Sequence, residues 1–281
     1  MTPAPATWEA ISGTPDARLR GGVLSYTSYV ERATGPMRRL EVPFAGIPMI
    51  LSLGPSILID GVRQRSFVAG LDDRATLTEY TGEQRGIQVN FTPLGARRLL
   101  GLPMAELARR VVALEDVLGD DTIVERLNDA GDWPRRFALL DALLLARLDV
   151  APPVDARVQR AWTRLRCSDG TLEIGVIASE VGWSRRHLAA RFRADVGLAP
   201  KTVARILRFE RVTRMLRAND GRGLADVAYA CGYADQSHFN RDFRELAGTT
   251  PSDFAARLLP GGAGVAGGEV PNVQDALSDA A

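Results

Sequence analysis

The sequence predicts an α+β N-terminal domain, a small sheet or barrel followed by helices, ahead of an all-α C-terminal domain. Three observations carry that reading. Before Gly95, short runs rich in β-branched and aromatic residues lie between Gly and Pro. From Gly95 on, apolar residues recur at helical spacing. Within the second half, a unit of about 28 residues is then repeated some fifty positions further on.

The expected strands are "GVLSYTSYV", "RLEVPF", "IPMILSLGPSILID", "RSFVAG" and "GIQVNFTPL". The helices that follow are "GARRLLGLPMAELARRVVALEDVLG" and "WPRRFALLDALLLARL". Pro152 and Pro153 in "DVAPPVDA" interrupt two helical patterns, because proline disfavours helix both at its own position and before it. The expected organisation is therefore a domain at 1–150, a linker at 151–156, a helical domain at 157–260 and a Gly/Ala-rich, acidic, disordered tail at 261–281.

Composition excludes several classes. An apolar fraction of 46% with 25% charged residues suits a soluble globular protein. No apolar run nears the roughly 18 residues of a membrane span. The N-terminus shows no basic start followed by an apolar run, so no signal peptide is expected and the cytoplasm is the expected compartment. Cys167 and Cys231 stand far apart without a C-x-x-C spacing, and the reading for both is a buried free thiol. The net charge of +1 hides an asymmetry: 17 basic against 20 acidic residues through Ala156, then 18 against 11 from Arg157 to Pro260. A basic half in a near-neutral chain suits a polyanionic partner.

The repeat makes that partner specific. Ile177, Ala178 and Gly182 match Val227, Ala228 and Gly232. One residue then enters the second copy near Ala234, and Ser184, His187, Leu188, Phe192, Gly197 and Pro200 match Asp235, His238, Phe239, Phe243, Gly248 and Pro251. Each unit reads as an apolar helix (Ile174–Glu180; Leu224–Ala230), a glycine turn, an N-cap at Ser184 or Asp235, and a second helix with buried residues four apart. That is a helix-turn-helix, whose second helix offers donors and acceptors to the DNA major groove. The outward face carries Arg185, Arg186, Ala189, Ala190 and Arg193 in the first copy, and Gln236, Ser237, Asn240, Arg241 and Arg244 in the second. Between the copies, "KTVARILRFERVTRMLRA" supplies a stiff helix about 27 Å long. Such a connector suits two reading helices about one DNA turn, near 34 Å, apart.

Residues 157–260 resemble the DNA-binding domain of the AraC/XylS family of bacterial transcription regulators. The stretches that carry the resemblance are "VIASEVGWSRRHLAARFRADVGLAPKTVARILRFERV" and "LADVAYACGYADQSHFNRDFRELAGTTPSDF". It implies two reading helices in successive major grooves of a double-stranded promoter site, with RNA polymerase as a further partner. The base-facing positions it implies are Arg186, Ala189 and Ala190, then Gln236, Ser237, His238 and Arg241. Ala189 and Ala190 have no hydrogen bond to offer a base and only a thymine methyl to meet, so the first helix leans on Arg186, with Arg185 beside it. The strands-then-helices order of the first half resembles the family's sensing or dimerisation domains, several of them cupin-like. That implies a degenerate cupin-like barrel, an effector and a homodimer.

Rival readings are a protein-interaction module, or an enzyme fused to a regulator. The first half contains no histidine or cysteine, which excludes a histidine-cluster metal centre there. Neither repeat supplies a Ser–His–Asp set or a phosphate loop, so no catalytic residue, metal or cofactor is expected. His187 and His238 are expected at helix margins, partly exposed, and Arg205 and Arg208 at phosphates. Asp60, Asp72, Asp73, Glu79 and Glu83 are expected in turns. Trp8, Tyr26, Tyr29, Phe44 and Phe67 are expected in the core more than in a ligand pocket.

Overall fold

The computed structural model describes residues 6–258, except 121, 219 and 220, together with 265–266. The first half is one antiparallel sheet. Its strands are β1 (Ala6–Gly13), β2 (Val23–Glu41), β3 (Ile47–Ser52), β4 (Ile57–Ile59), β5 (Val62–Gln64), β6 (Phe67–Ala69), β7 (Thr76–Phe91), β8 (Val111–Ala113) and β9 (Val265–Ala266). The path runs β1-β2-β7-β3-β6-β8, with β4 also on β7, β5 on β4 and β9 on β2. No pairing closes β1 onto β8 among the described residues, so the sheet is an open, degenerate barrel.

The long β2 absorbs two of the expected strands. Gly35 and Pro36, which punctuate the sequence, fall in a register shift between Ala33 and Met37, and pairing with β7 resumes beyond it. Glu79 and Glu83 lie inside β7 and not in turns, because the turn residue Gly82 is carried within the strand, opposite Ala33. Gly86 is required where it stands: a Cβ would come 2.6 Å from the Leu51 carbonyl oxygen and 2.9 Å from the Tyr29 hydroxyl.

Strand alternation gives the sheet two different faces. Ile47, Met49 and Leu51 of β3 and Ile87, Val89 and Phe91 of β7 are buried in the same core as Leu94, Leu99, Leu140 and Leu144 of the helices. The intervening residues, among them Tyr29, Ile50, Thr78, Tyr80, Gln84 and Gln88, line a cavity of about 240 Å³. Trp8, Tyr29, Phe44 and Phe67 line this cavity; Phe67 is buried as expected, and for the other three, only half-buried, the expected core role is replaced. Alternation places Trp8, Tyr29 and Phe67 on the cavity face, and Phe44 joins them from the loop between β2 and β3. Tyr26, three residues before Tyr29 and so on the other face of β2, is fully buried, and its hydroxyl donates to Asp141 Oδ1 at 2.9 Å.

The helices of the first half are α1 (Pro93–Leu99), α2 (Met104–Leu107), α3 (Leu114–Leu118), α4 (Ile123–Asp129) and α5 (Trp133–Val150). Arg147 ties them together, donating to the carbonyls of Leu99 (2.6 Å), Leu100 (3.1 Å) and Leu118 (3.4 Å). The second half is helical: α6 (Ala156–Cys167), α7 (Ile174–Glu180), α8 (Arg185–Val196), α9 (Pro200–Ala218), α10 (Leu224–Ala230), α11 (Gln236–Ala247) and α12 (Pro251–Ala256). Asp155 caps α6 by accepting from the Arg157 amide. No helix of the described residues is long and apolar enough to cross a membrane. Of the stretch expected to be disordered, Val265 and Ala266 pair with Leu40 and Arg39 of β2; its other residues lie outside those described.

Candidate nucleic-acid interface

Both repeats build the same corner from the same parts. Gly182 (φ +70°) and Gly232 (φ +76°) end the first helix of each pair in a conformation other residues adopt at a cost. The chain then turns back, with the Trp183 amide on the Ala178 carbonyl (2.9 Å) and the Tyr233 amide on the Ala228 carbonyl (3.1 Å). Ser184 Oγ accepts from the His187 amide at 3.2 Å, and Asp235 Oδ1 from the His238 amide at 2.7 Å, so α8 and α11 are capped alike. Leu188 and Phe192, and Phe239 and Phe243, are buried beneath.

Two short stacks repeat as well. The His187 ring meets Trp183 edge-on at 4.8 Å, and His238 meets Tyr233 at 5.4 Å. Arg157 lies over Trp183 and Arg208 over Tyr233, each 5.5 Å from the ring centre. Each aromatic residue after the turn is thus held between a guanidinium and an imidazole. Burial pushes the Tyr233 hydroxyl above its ordinary range.

The outward faces stay open. Arg185, Arg186, Ala190 and Arg193 are exposed, and Ala189 is half-buried. On α11, Gln236, Ser237, Arg241 and Arg244 are exposed, whereas His238 and Asn240 are half-buried. Among the described residues, none of Arg185, Arg186, Arg193, Arg241 and Arg244 has a carboxylate partner. Arg185 differs from the others in direction: its guanidinium lies back over Gly175 of α7, where a Cβ would collide with it.

Arg205 and Arg208 depart from expectation. Both point into the protein, Arg205 at Asp242 (3.1 Å) and Glu245, and Arg208 at Asp242 (4.0 Å). Their charge is matched by a buried carboxylate, which explains why they do not face outward toward phosphates. Sequence reasoning missed Asp242 itself, 5% exposed on the inner side of α11. The repeat gave no signal for it, because it puts an exposed arginine, Arg191, at the equivalent place in α8.

Helix α8 is also tied to the N-terminal half. The C-terminal end of α8 packs on α1 and α2, and Arg97 Nε lies 3.4 Å from Asp195 Oδ1. Gly197, φ +104°, follows directly, where a Cβ would stand 3.1 Å from the Met104 carbonyl oxygen.

Comparison with known proteins agrees with this geometry. A family model described as a helix-turn-helix domain matches residues 177–257. The Arabinose operon regulatory protein of Escherichia coli (strain K12) is 29% identical over 144 residues, 47% of this chain and 49% of that protein. A Putative AraC-like transcription regulator of Streptomyces antibioticus is 33% identical over 87 residues, 31% of this chain and 28% of that one. Residues 177–257 form a helix-turn-helix domain. The chain spans about half the length, or less, of these curated relatives. Among solved structures, ToxT from Vibrio cholerae aligns over 83% of this chain and 98% of its own, at 14% identity and a TM-score of 0.49. Within residues 177–257 of this chain, α8 and α11 are the second helices of the two helix-turn-helix units, and α9 connects the units.

Proposed function

We propose that this protein is a sequence-specific, DNA-binding transcription regulator. Residues 1–150 act as the sensing or dimerisation domain, 151–156 as the linker and 157–260 as the DNA-binding domain. The observation that supports this most is the duplicated corner, which presents two exposed helices bearing arginines with no carboxylate partner among the described residues. Unmatched cations beside polar side chains are what a phosphate backbone and base edges recruit.

In this reading α8 and α11 enter successive major grooves. Arg186 and Arg241 address guanine O6 and N7, and Asn240 and Gln236 suit adenine N6 and N7. Ser237 and His238 complete the base-facing row of α11, while Ala189 and Ala190 meet thymine methyl groups. Arg185, Arg193 and Arg244 hold phosphates and fix the register. The side chains of α11 offer more hydrogen bonds than those of α8, so α11 carries at least an equal share of specificity. The protein has no enzymatic role in this account and works in the cytoplasm, with RNA polymerase as the partner at the promoter.

The cavity in the sheet is the effector site of this proposal. An effector changes DNA affinity only by binding two conformations unequally. The contact of α1 and α2 with α8 offers the route from sheet to reading helix. Homodimerisation through the N-terminal domain would add a second pair of reading helices.

Selection of bound duplexes from a random library tests the function. The expected outcome is one asymmetric motif with two specified segments about 10 bp apart, bound with an affinity that falls steeply with salt. Enrichment of no sequence at all, with binding insensitive to salt, would assign the helical half to a protein partner instead.

A further inference from the structure

The cavity itself states what it is built to hold. Its polar wall centres on Arg39, whose Nη2 donates to Glu31 and, at 3.2 Å, to the Tyr80 hydroxyl. Arg39 Nε stands 3.9 Å from Glu41, beyond hydrogen-bond range, and has no hydrogen-bond partner. Gln84, 5% exposed, also lines the cavity, and its Nε2 has no partner either. The neighbouring Gln88 donates to Asn90 Oδ1 at 2.9 Å and is satisfied. A buried donor without an acceptor costs about 1–3 kcal/mol, so two on one wall of one cavity mark a place for an acceptor atom.

Charge decides the rest of the class. The charged lining residues are Glu31, Glu41 and Asp72 against Arg39 and Arg74, an excess of one acid. Arg39 is already matched by Glu31 beside it, and Arg74, the other cation of the lining, is solvent-exposed, so the buried polar wall holds no spare positive charge for an anion. An organic cation would meet Arg39 itself, which lies 5.8 Å over the Trp8 ring and 5.9 Å over the Tyr80 ring and so occupies the aromatic, acidic corner. The remaining walls are apolar: Phe44, Pro48, Ile50, Ile57, Ile59 and Phe67. Trp8 and Tyr29 stack with planes 2° apart, which gives the site a flat wall.

We infer that the cavity binds an uncharged, largely apolar ring compound carrying one acceptor oxygen, a ketone or its equivalent, with that oxygen at Gln84 Nε2 and Arg39 Nε. This inference rests on the sensing role proposed above and names its ligand class.

Isothermal titration of the full chain with four compounds of one ring system tests it: 2-acetonaphthone, 2-naphthoate, 2-naphthylmethylamine and naphthalene. The ketone should bind at least about tenfold more tightly than the carboxylate and the amine, because neither charge finds a free counterpart at the buried wall. Gln84→Leu should weaken the ketone about fivefold and leave naphthalene unchanged, a pattern that a merely structural loss would not give. Ile50→Trp, which fills the cavity from an apolar wall, should abolish binding of both. Tighter binding of the carboxylate or the amine, or no ketone binding up to its solubility limit, overturns the inference. Fluorescence anisotropy of a labelled duplex separates the two levels: ketone binding that leaves DNA affinity unaltered upholds the ligand class and overturns the sensing role.

Discussion

His238 Nε2 lies 3.8 Å from the Asp242 carboxylate, one turn further along α11, and Arg205 reaches the same carboxylate from α9 at 3.1 Å. Helix α11 is therefore fastened from beneath by a buried acid, with its own histidine beside that acid. Replacing Asp242 by Ala leaves Arg205 and Arg208 facing a low-dielectric gap. The expected cost is about 3 kcal/mol in urea unfolding, since a broken buried pair costs far more than an exposed one. A loss below about 1 kcal/mol would mean that the fastening is dispensable.

Gly182→Ala should destabilise the protein by about 1 kcal/mol through backbone strain alone, because the φ of +70° is unfavourable to alanine while the space around its Cβ is open. Differential scanning calorimetry checks this as a fall in Tm of a few degrees. An unchanged or raised Tm would refute the strain argument.

How much of this was legible in the sequence depended on where the information sat. The bounds of α7 and α10 were readable to the residue, because glycine turn, cap and apolar pair recur in both copies. The strand β1 and the first half of β7 escaped notice: "TLTEYTGEQR" carries charges that only a long two-stranded ribbon accommodates. The cavity was beyond reach for a different reason. Glu31 and Arg39 meet across the register shift in β2, and nothing in their spacing tells which face of the sheet stays uncovered. Arg205 and Arg208 looked like free cations until the fold brought Asp242 beneath them.

The two thiols should separate cleanly. Both were expected to be buried, yet Cys167 is exposed at the end of α6, and only Cys231 is buried. Burial also pushes the Cys231 thiol up. Reaction of the native protein with Ellman's reagent should give one fast equivalent, with the second released only on unfolding. Two fast equivalents would contradict the packing around Cys231.

Alkaline pH should weaken the fold in a definite window. Burial holds the hydroxyls of Tyr26, Tyr80 and Tyr233 well above their ordinary value of 10.0 and pushes Tyr29 up to about 12. A raised acid contributes stability that is complete below the unfolded pKa and is lost as pH climbs through the folded one. Stability in urea should therefore hold up to about pH 10 and fall between pH 10 and 12, with tyrosinate absorbance rising alongside unfolding. Ionisation of all the tyrosines with the fold intact would contradict this.

The central claim is that α8 and α11 read DNA, and Arg241→Ala tests it most directly. Fluorescence anisotropy titrations would compare wild type and variant on the selected duplex and on a scrambled duplex of equal length and salt. A guanine contact predicts a loss of about 1–3 kcal/mol, roughly 5- to 150-fold, on the selected duplex and only the small loss of one charge on the scrambled one. Equal loss on both duplexes would contradict base reading by α11.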